Sequence, residues 1–352
     1  MPGEQTAAAR DRPGQAGAML EGEGMKQAPH TVKVKIERLK VYFALERSLK
    51  DQMRKKEQEY VKAVDGVSVD IHESEVLGVV GETGCGKTTI ANALLLMCPI
   101  TEGKIFFEGR EVNNLADDEL MDYYSRVQLI WQNPFSSLNP RMKVYELISR
   151  PLIRLLKNPD RGEVRERINE IIRVVGLNKE DLKKYPHEFS GGGRQRIVIA
   201  RALVGEPDFI IADEPTSSLD VSIQAQILNL LKELKNNFNL TMLFISHNLS
   251  VINFISNRVA VMYFGRIVEL LPKTQLFTRN YHYYTRKLID AIPKGRKRSV
   301  TGSIIEKSHR LNHGGCIYYY RCENAGEKCL HEVPRLETLS DDHYVACHYP
   351  LS

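Results

Sequence analysis

The chain lacks any apolar run of the roughly 18 to 20 residues that a spanning helix needs, so a role at a membrane would have to be exerted through a partner. It also lacks a strong charge bias. Its 49 Lys and Arg face 44 Asp and Glu, leaving +5 over 352 residues, a mixed surface rather than the concentrated basic face of a nucleic-acid binder. Residues 1–30 lack the apolar core of a signal peptide and are rich in Gly, Ala, Pro and Gln, so they read as a disordered leader, with Met19 and Met25 as alternative starts. No repeat of solenoid length occurs. Cysteine is sparse until the end: Cys85 and Cys98 lie near the first glycine loop, and Cys316, Cys322, Cys329 and Cys347 cluster in the tail. In a reducing compartment such clustering suggests metal before disulfide.

What is present begins with Val76 to Val80, a compact apolar strand running straight into GETGCGKTT. Gly81, Gly86, Lys87 and Thr88 match GxxxxGK[ST], and the pattern predicts a helix from Thr88 to Met97 with a stripe of Ile90, Ala91, Leu94, Leu95 and Met97. Between a strand and a helix, such a loop turns consecutive N–H groups around a β-phosphate, and the helix N-terminus adds partial positive charge. Glu82, Thr83, Gly84, Cys85 and Thr89 complete the candidate ATP-binding loop, with Cys85 as a small filler rather than a nucleophile. Lys87 is placed to bridge β- and γ-oxygens, and Thr88 to offer a hydroxyl to magnesium.

Four further residues lie at the ends of apolar runs. Asp213 ends Phe209 to Ala212 and is a magnesium carboxylate candidate. Glu214 follows, expected on the opposite pleat, where it polarises water. Gln132 ends VQLIW and is a candidate for contact with magnesium or water, and His247 ends Thr241 to Ser246, within reach of a γ-phosphate. Singly each residue type is more often structural, but together at strand ends they point to one site of the open α/β kind. The fold class is therefore α/β, a P-loop nucleotide-binding domain over residues 31–272 with a helical subdomain at about 133–186, which contains the amphipathic RERINEIIRVVGL. Composition turns basic and aromatic from about residue 273, and Lys294, Arg296, Lys297 and Arg298 mark a linker into a small Cys-containing extension, 273–352.

The ordered motifs resemble the nucleotide-binding subunits of ATP-binding-cassette (ABC) transporters over roughly 33–272. The set comprises the phosphate loop, Gln132, a signature FSGGG at Phe189 to Gly193, Asp213-Glu214, the Ser218-Leu219-Asp220 turn and His247. YVKAVDGVS (60–68), QNPFSSLNPRM (132–142), YPHEFSGG (185–192) and DEPTSSLDVSIQAQIL (213–228) look like the dipeptide and oligopeptide importer branch, whose four-cysteine tail this chain also carries. The resemblance implies MgATP held between this phosphate loop and a partner's signature, while Ser190, Gly191, Gly192 and Gly193 here, with the Asp220 turn, serve a second ATPase subunit. That subunit is identical or different. It also implies two transmembrane permease subunits, an extracytoplasmic substrate-binding protein, a peripheral place on the cytoplasmic membrane face, and no nucleic acid. The adenine is expected on Phe43, with Tyr42 and Tyr60 as rivals, and Ser137 to Arg141 is expected against a permease coupling helix.

Two features bear further on function, the first a departure from the family pattern. Gly193 stands where the signature normally ends in Gln, which predicts mild asymmetry between the two ATP sites, since a helical glycine costs up to about 1 kcal/mol against alanine. The tail cysteines are separated by five, six and seventeen residues, which is not the usual zinc-knuckle spacing. Spacing alone leaves zinc, a cluster or disulfides open, and the resemblance implies a [4Fe–4S] cluster. Tyr281 to Thr285 resembles a family His-Pro-Tyr-Thr string with Pro replaced by Tyr283, and is read as packing. The leading expectation is an ATPase powering di/oligopeptide import. Oligosaccharide or nickel cargo, and a soluble ABC ATPase in DNA repair or translation, are the alternatives.

Overall fold

The computed structural model describes residues 31–45, 47, 58–155, 159–292, 314–340 and 342–352. The leader and the basic run Lys294 to Arg298 lie outside the described residues. The described residues from 31 onward form one compact unit.

Two sheets build it. An antiparallel sheet of order β2-β1-β4-β5 uses Val32–Ala44 (β1), Tyr60–His72 (β2), Glu102–Phe107 (β4) and Arg110–Glu111 (β5). The main sheet has order β11-β12-β10-β9-β3-β8-β7-β6. Its strands are Val76–Val80 (β3), Val127–Ile130 (β6), Phe209–Asp213 (β7), Thr241–Ser246 (β8), Arg258–Tyr263 (β9), Arg266–Pro272 (β10), Glu337–Ser340 (β11) and His343–Val345 (β12). From β9 to β6 the pairing is parallel, and β3, β7 and β8 are buried at every position, as unbroken apolar runs require when both faces are covered.

The phosphate-loop helix spans Lys87–Leu94, shorter than the stripe predicts. Leu96 adopts φ 54, which ends the helix, so Ile90, Ala91, Leu94 and Leu95 are buried but Met97 is 58% exposed. Between β6 and β7 the chain is helical, through Pro134–Ser137, Val144–Leu155, Arg161–Val174 and Gly191–Leu203. Asp160 caps the third of these by accepting from the N–H groups of Gly162 and Glu163.

The cysteine tail is woven into the cassette's own sheet, because β12 pairs with β10. The join is polar and buried. Glu269 on β10, with no exposed surface, accepts from the N–H groups of Tyr281 and His282 at 2.6 and 3.2 Å and lies 2.8 Å from Nε2 of the fully buried His343. A carboxylate buried this deeply persists only when its lone pairs are met, and here the tail supplies the donors.

Candidate functional site

The site lies where neighbouring parallel strands end. In the order β3, β8, β7, β6, the chain leaves the sheet into the phosphate loop, His247, Glu214 and Gln132 respectively. Residues 81, 132, 214 and 247 are far apart in sequence, but the adjacency of four parallel strands sets their departures side by side.

The loop's shape depends on two missing side chains. Gly86 has φ +107, and a Cβ there would lie 2.0 Å from the Ala63 carbonyl oxygen. At Gly81 a Cβ would lie 2.1 Å from the carbonyl of Met262. The loop is thereby pressed between β2 and β9. Lys87 is buried, and its ammonium donates to the carbonyls of Gly81 and Glu82 at 2.8 and 2.9 Å, which holds it inside the loop. Thr83 and Gly84 form the exposed crest, Thr88 is exposed, and Thr89 is half-buried. Cys85 is buried, and burial pushes its thiol up, against a smaller opposing effect of Lys87.

Asp213 is 8% exposed, and its Oδ1 has no hydrogen-bond partner. Burial raises its carboxyl, the hydroxyl of Thr88 bonded to it opposes that shift, and the nearby Glu214 adds to it. An orphaned buried carboxylate oxygen beside a hydroxyl is a donor set that suits a hard dication, so the residues fit magnesium. Gln132 reaches the neighbouring carboxylate of Glu214. Its amide donates to Glu214 Oε2 at 3.1 Å, and His247 Nδ1 lies 3.1 Å from the same oxygen. Glu214 does not continue the pleat: φ is 46, so strand alternation stops at Asp213 and the next side chain is redirected. Its N–H donates to the Ile245 carbonyl of β8 at 2.9 Å, and the outcome is one carboxylate oxygen shared by residues from three strand ends.

Ser190 caps the Gly191–Leu203 helix, accepting from the Gly193 N–H at 3.3 Å. A Cβ on Gly192 would meet Ile223 at 2.5 Å, and one on Gly193 would meet Phe189 at 3.0 Å, so both glycines give close approach to a neighbouring side chain. Asp220 caps the Val221–Asn237 helix through the Ile223 N–H. Arg201 donates to the Ser137 carbonyl at 2.6 Å, and Arg194 stacks over Phe135 at 4.0 Å, so the signature helix grips the segment that follows Gln132. Phe43 is 41% exposed on β1 and Tyr60 is 54% exposed on β2. The Tyr42 hydroxyl is tied to Asp65.

Two contacts of the tail were not foreseen. Tyr284, read from its string as packing, is indeed buried, but its hydroxyl also accepts from the Glu82 N–H of the phosphate loop at 2.9 Å. Arg321 pairs with both Glu82 oxygens at 3.1 Å. The family string around His282 held a signal for the first contact, whereas nothing in the sequence singled out Arg321. The four tail cysteines form no disulfide. All four are free thiols, and burial pushes up those of Cys316, Cys322 and Cys347, the last to about 11, with neighbouring tail thiols adding to the shift. They are thus mutual neighbours. Among the described residues, no three His, Cys, Asp or Glu are gathered to hold a metal ion.

Residues 64–217 match the family model for ABC transporters, and 268–329 match that for the oligopeptide/dipeptide transporter C-terminal region. The chain is 44% identical over 295 residues to the oligopeptide transport ATP-binding protein AppF of Bacillus subtilis, covering 82% of this chain and 89% of that one. It is 42% identical to the di/tripeptide transport ATP-binding protein DppF of Pseudomonas aeruginosa, covering 82% and 90%. Among solved structures, it is similar to the dimeric ATP-binding cassette MJ0796 in a post-hydrolysis state with ADP and Pi, with TM-score 0.59, 27% identity, and coverage of 68% of this chain and 98% of that one.

Proposed function

The chain belongs to the ABC transporter family, in its oligopeptide/dipeptide branch, and from that membership we propose that it hydrolyses ATP to power import of di- or oligopeptides through a membrane permease. The single observation that carries the chemistry is the Glu214 carboxylate oxygen held by both Gln132 and His247 beside a phosphate loop. No observation favours oligosaccharide or nickel cargo, or a role in DNA repair or translation, whereas the similar proteins bear peptide-transport names.

The residues divide the work. The loop from Gly81 to Thr89, with Lys87 at its centre, binds the phosphates, and Phe43 or Tyr60 offers a ring to the adenine. Thr88, Asp213 and Gln132 would hold magnesium, whose charge would offset that of the phosphates. Glu214 orients the attacking water and takes its proton at Oε1 or Oε2. His247 fixes that carboxylate and faces the γ-phosphate. Phosphoryl transfer of this kind asks chiefly for positioning, which three anchored strand ends supply.

Ser190 to Gly193 and Asp220 serve ATP on a second ATPase subunit, identical or different. The Ser137 to Arg141 segment meets a coupling helix of the permease, which has two transmembrane subunits, and an extracytoplasmic binding protein delivers cargo. The chain sits peripherally on the cytoplasmic membrane face. Among the described residues, no helix is long and apolar enough to cross a membrane.

In the tail we place a [4Fe–4S] cluster, on the support of four neighbouring thiols. A cluster gives each thiolate its own iron, so it does not ask three donors to share one ion as zinc does. The expected result is iron and visible absorbance in anaerobically purified protein, and colourless protein would overturn the assignment.

Glu214→Gln in the assembled transporter is expected to keep MgATP binding while hydrolysis falls by about a hundredfold or more, together with labelled-peptide uptake. A variant that turned over at the parent rate would refute the role of Glu214. Gly193→Gln must displace Phe189, which approaches the Cβ position to 3.0 Å. It is expected to change the transporter's ATPase rate by a few-fold, roughly the effect of 1 kcal/mol, and an unchanged rate would remove the asymmetry between sites.

A further inference from the structure

Glu82 is the one acidic residue in the phosphate loop, and that loop is built to receive a polyanion. An uncompensated carboxylate there would repel the phosphates it flanks. The compensation comes from the far end of the chain. Arg321 Nη1 and Nη2 reach Glu82 Oε2 and Oε1, each at 3.1 Å, in the two-pronged geometry in which a guanidinium matches a carboxylate. The Glu82 N–H donates to the Tyr284 hydroxyl at 2.9 Å, and its carbonyl accepts from Lys87 at 2.9 Å. Side chain, amide and carbonyl of this residue are thus all engaged, the first two by the tail.

The tail's grip rests on a rigid base. Arg321 lies over the Tyr263 ring at 5.8 Å. That ring packs against Tyr284 at 4.6 Å and Tyr318 at 5.1 Å between centroids, and all three tyrosines are buried. Tyr263 comes from β9 of the cassette and Tyr318 from the tail, so the aromatic stack joins the two, with Arg321 at its rim. Arg321 also closes the short turn Tyr319–Arg321 and immediately precedes Cys322, so the thiol-bearing lobe and the loop clamp are one piece of backbone.

We propose that Arg321, supported by Tyr284, is a positioning residue for ATP: the cysteine lobe neutralises and pins Glu82, and thereby sets the affinity of the phosphate loop for MgATP. The inference rests on the ATP reading of that loop. The lobe acts on nucleotide binding rather than on the chemical step, because Arg321 touches Glu82 and not the Glu214 centre. The state of the tail is therefore felt at the nucleotide site through the Arg321–Glu82 ion pair and the Tyr284 hydroxyl beside it.

The test is a charge-compensation cycle in the assembled transporter with the full chain, reading KM for MgATP and kcat separately. Arg321→Ala leaves Glu82 unpaired and is expected to raise KM by roughly five- to tenfold, the scale of a half-exposed two-pronged pair, with kcat within about twofold. Adding Glu82→Gln to Arg321→Ala removes the stranded charge and is expected to bring KM back to within about twofold of the parent. Arg321→Lys, which keeps the charge and loses the fork, falls between. An Arg321→Ala KM equal to the parent's overturns the proposal. So does a raised KM that Glu82→Gln leaves unrelieved, since that is the behaviour of a lobe that merely packs. Failure of the ATP reading would look different, as the parent itself would show no MgATP-dependent turnover.

Discussion

One carboxylate oxygen, Glu214 Oε2, holds the candidate centre together. It lies 3.1 Å from the amide of Gln132 and 3.1 Å from the ring of His247, so the exits of β6, β7 and β8 meet on one atom. That meeting needs a left-handed turn at a residue with a side chain, φ 46 at Glu214, a conformation that persists only where its surroundings over-determine it. The surroundings are the fully buried β7 and β8 and the bond from the Glu214 N–H to β8. Burial of the strands and strain at the site are two parts of one arrangement.

Gln132 gives that arrangement an outward reach. The segment after it is gripped by Arg201 and Arg194 of the signature helix, so a push on Ser137 to Arg141 bears on both Gln132 and the Ser190 to Gly193 helix start. The tail reaches the phosphate loop from another side, through Tyr284 and Arg321, and is anchored by the buried Glu269 and His343. The geometry thus lets two peripheral regions act on one nucleotide site.

Much of this was legible in the chain. Val76 to Val80 and Thr241 to Ser246 stand as strands at the residues their apolar runs mark, because a strand buried on both faces has no polar positions to blur its ends. The spacing of phosphate loop, Gln132, Asp213-Glu214 and His247 announced a shared site, since parallel strands bring their ends together whatever the separation in sequence. What stayed hidden depended on tertiary partners. Met97 continues an apolar stripe, yet Leu96 turns left-handed and leaves it in solvent. The pleat rule aimed Glu214 by alternation, but the strand stops one residue too early for alternation to apply. Arg321 carried no pattern of its own, because its partner lies 239 residues away. His343 and Glu269 carry no sequence pattern for burial, and both are enclosed because the tail strand pairs with β10.

The central claim is that Gln132 and His247 act through the same carboxylate oxygen. ATP hydrolysis by the assembled transporter, compared among Gln132→Ala, His247→Ala and the double variant, tests it most directly. Residues that serve one shared group lose their effect together, so the double variant is predicted to fall no more than about twofold below the slower single variant. Losses that multiply, with the double variant slower by the product of the two single effects, would contradict a common centre on Glu214.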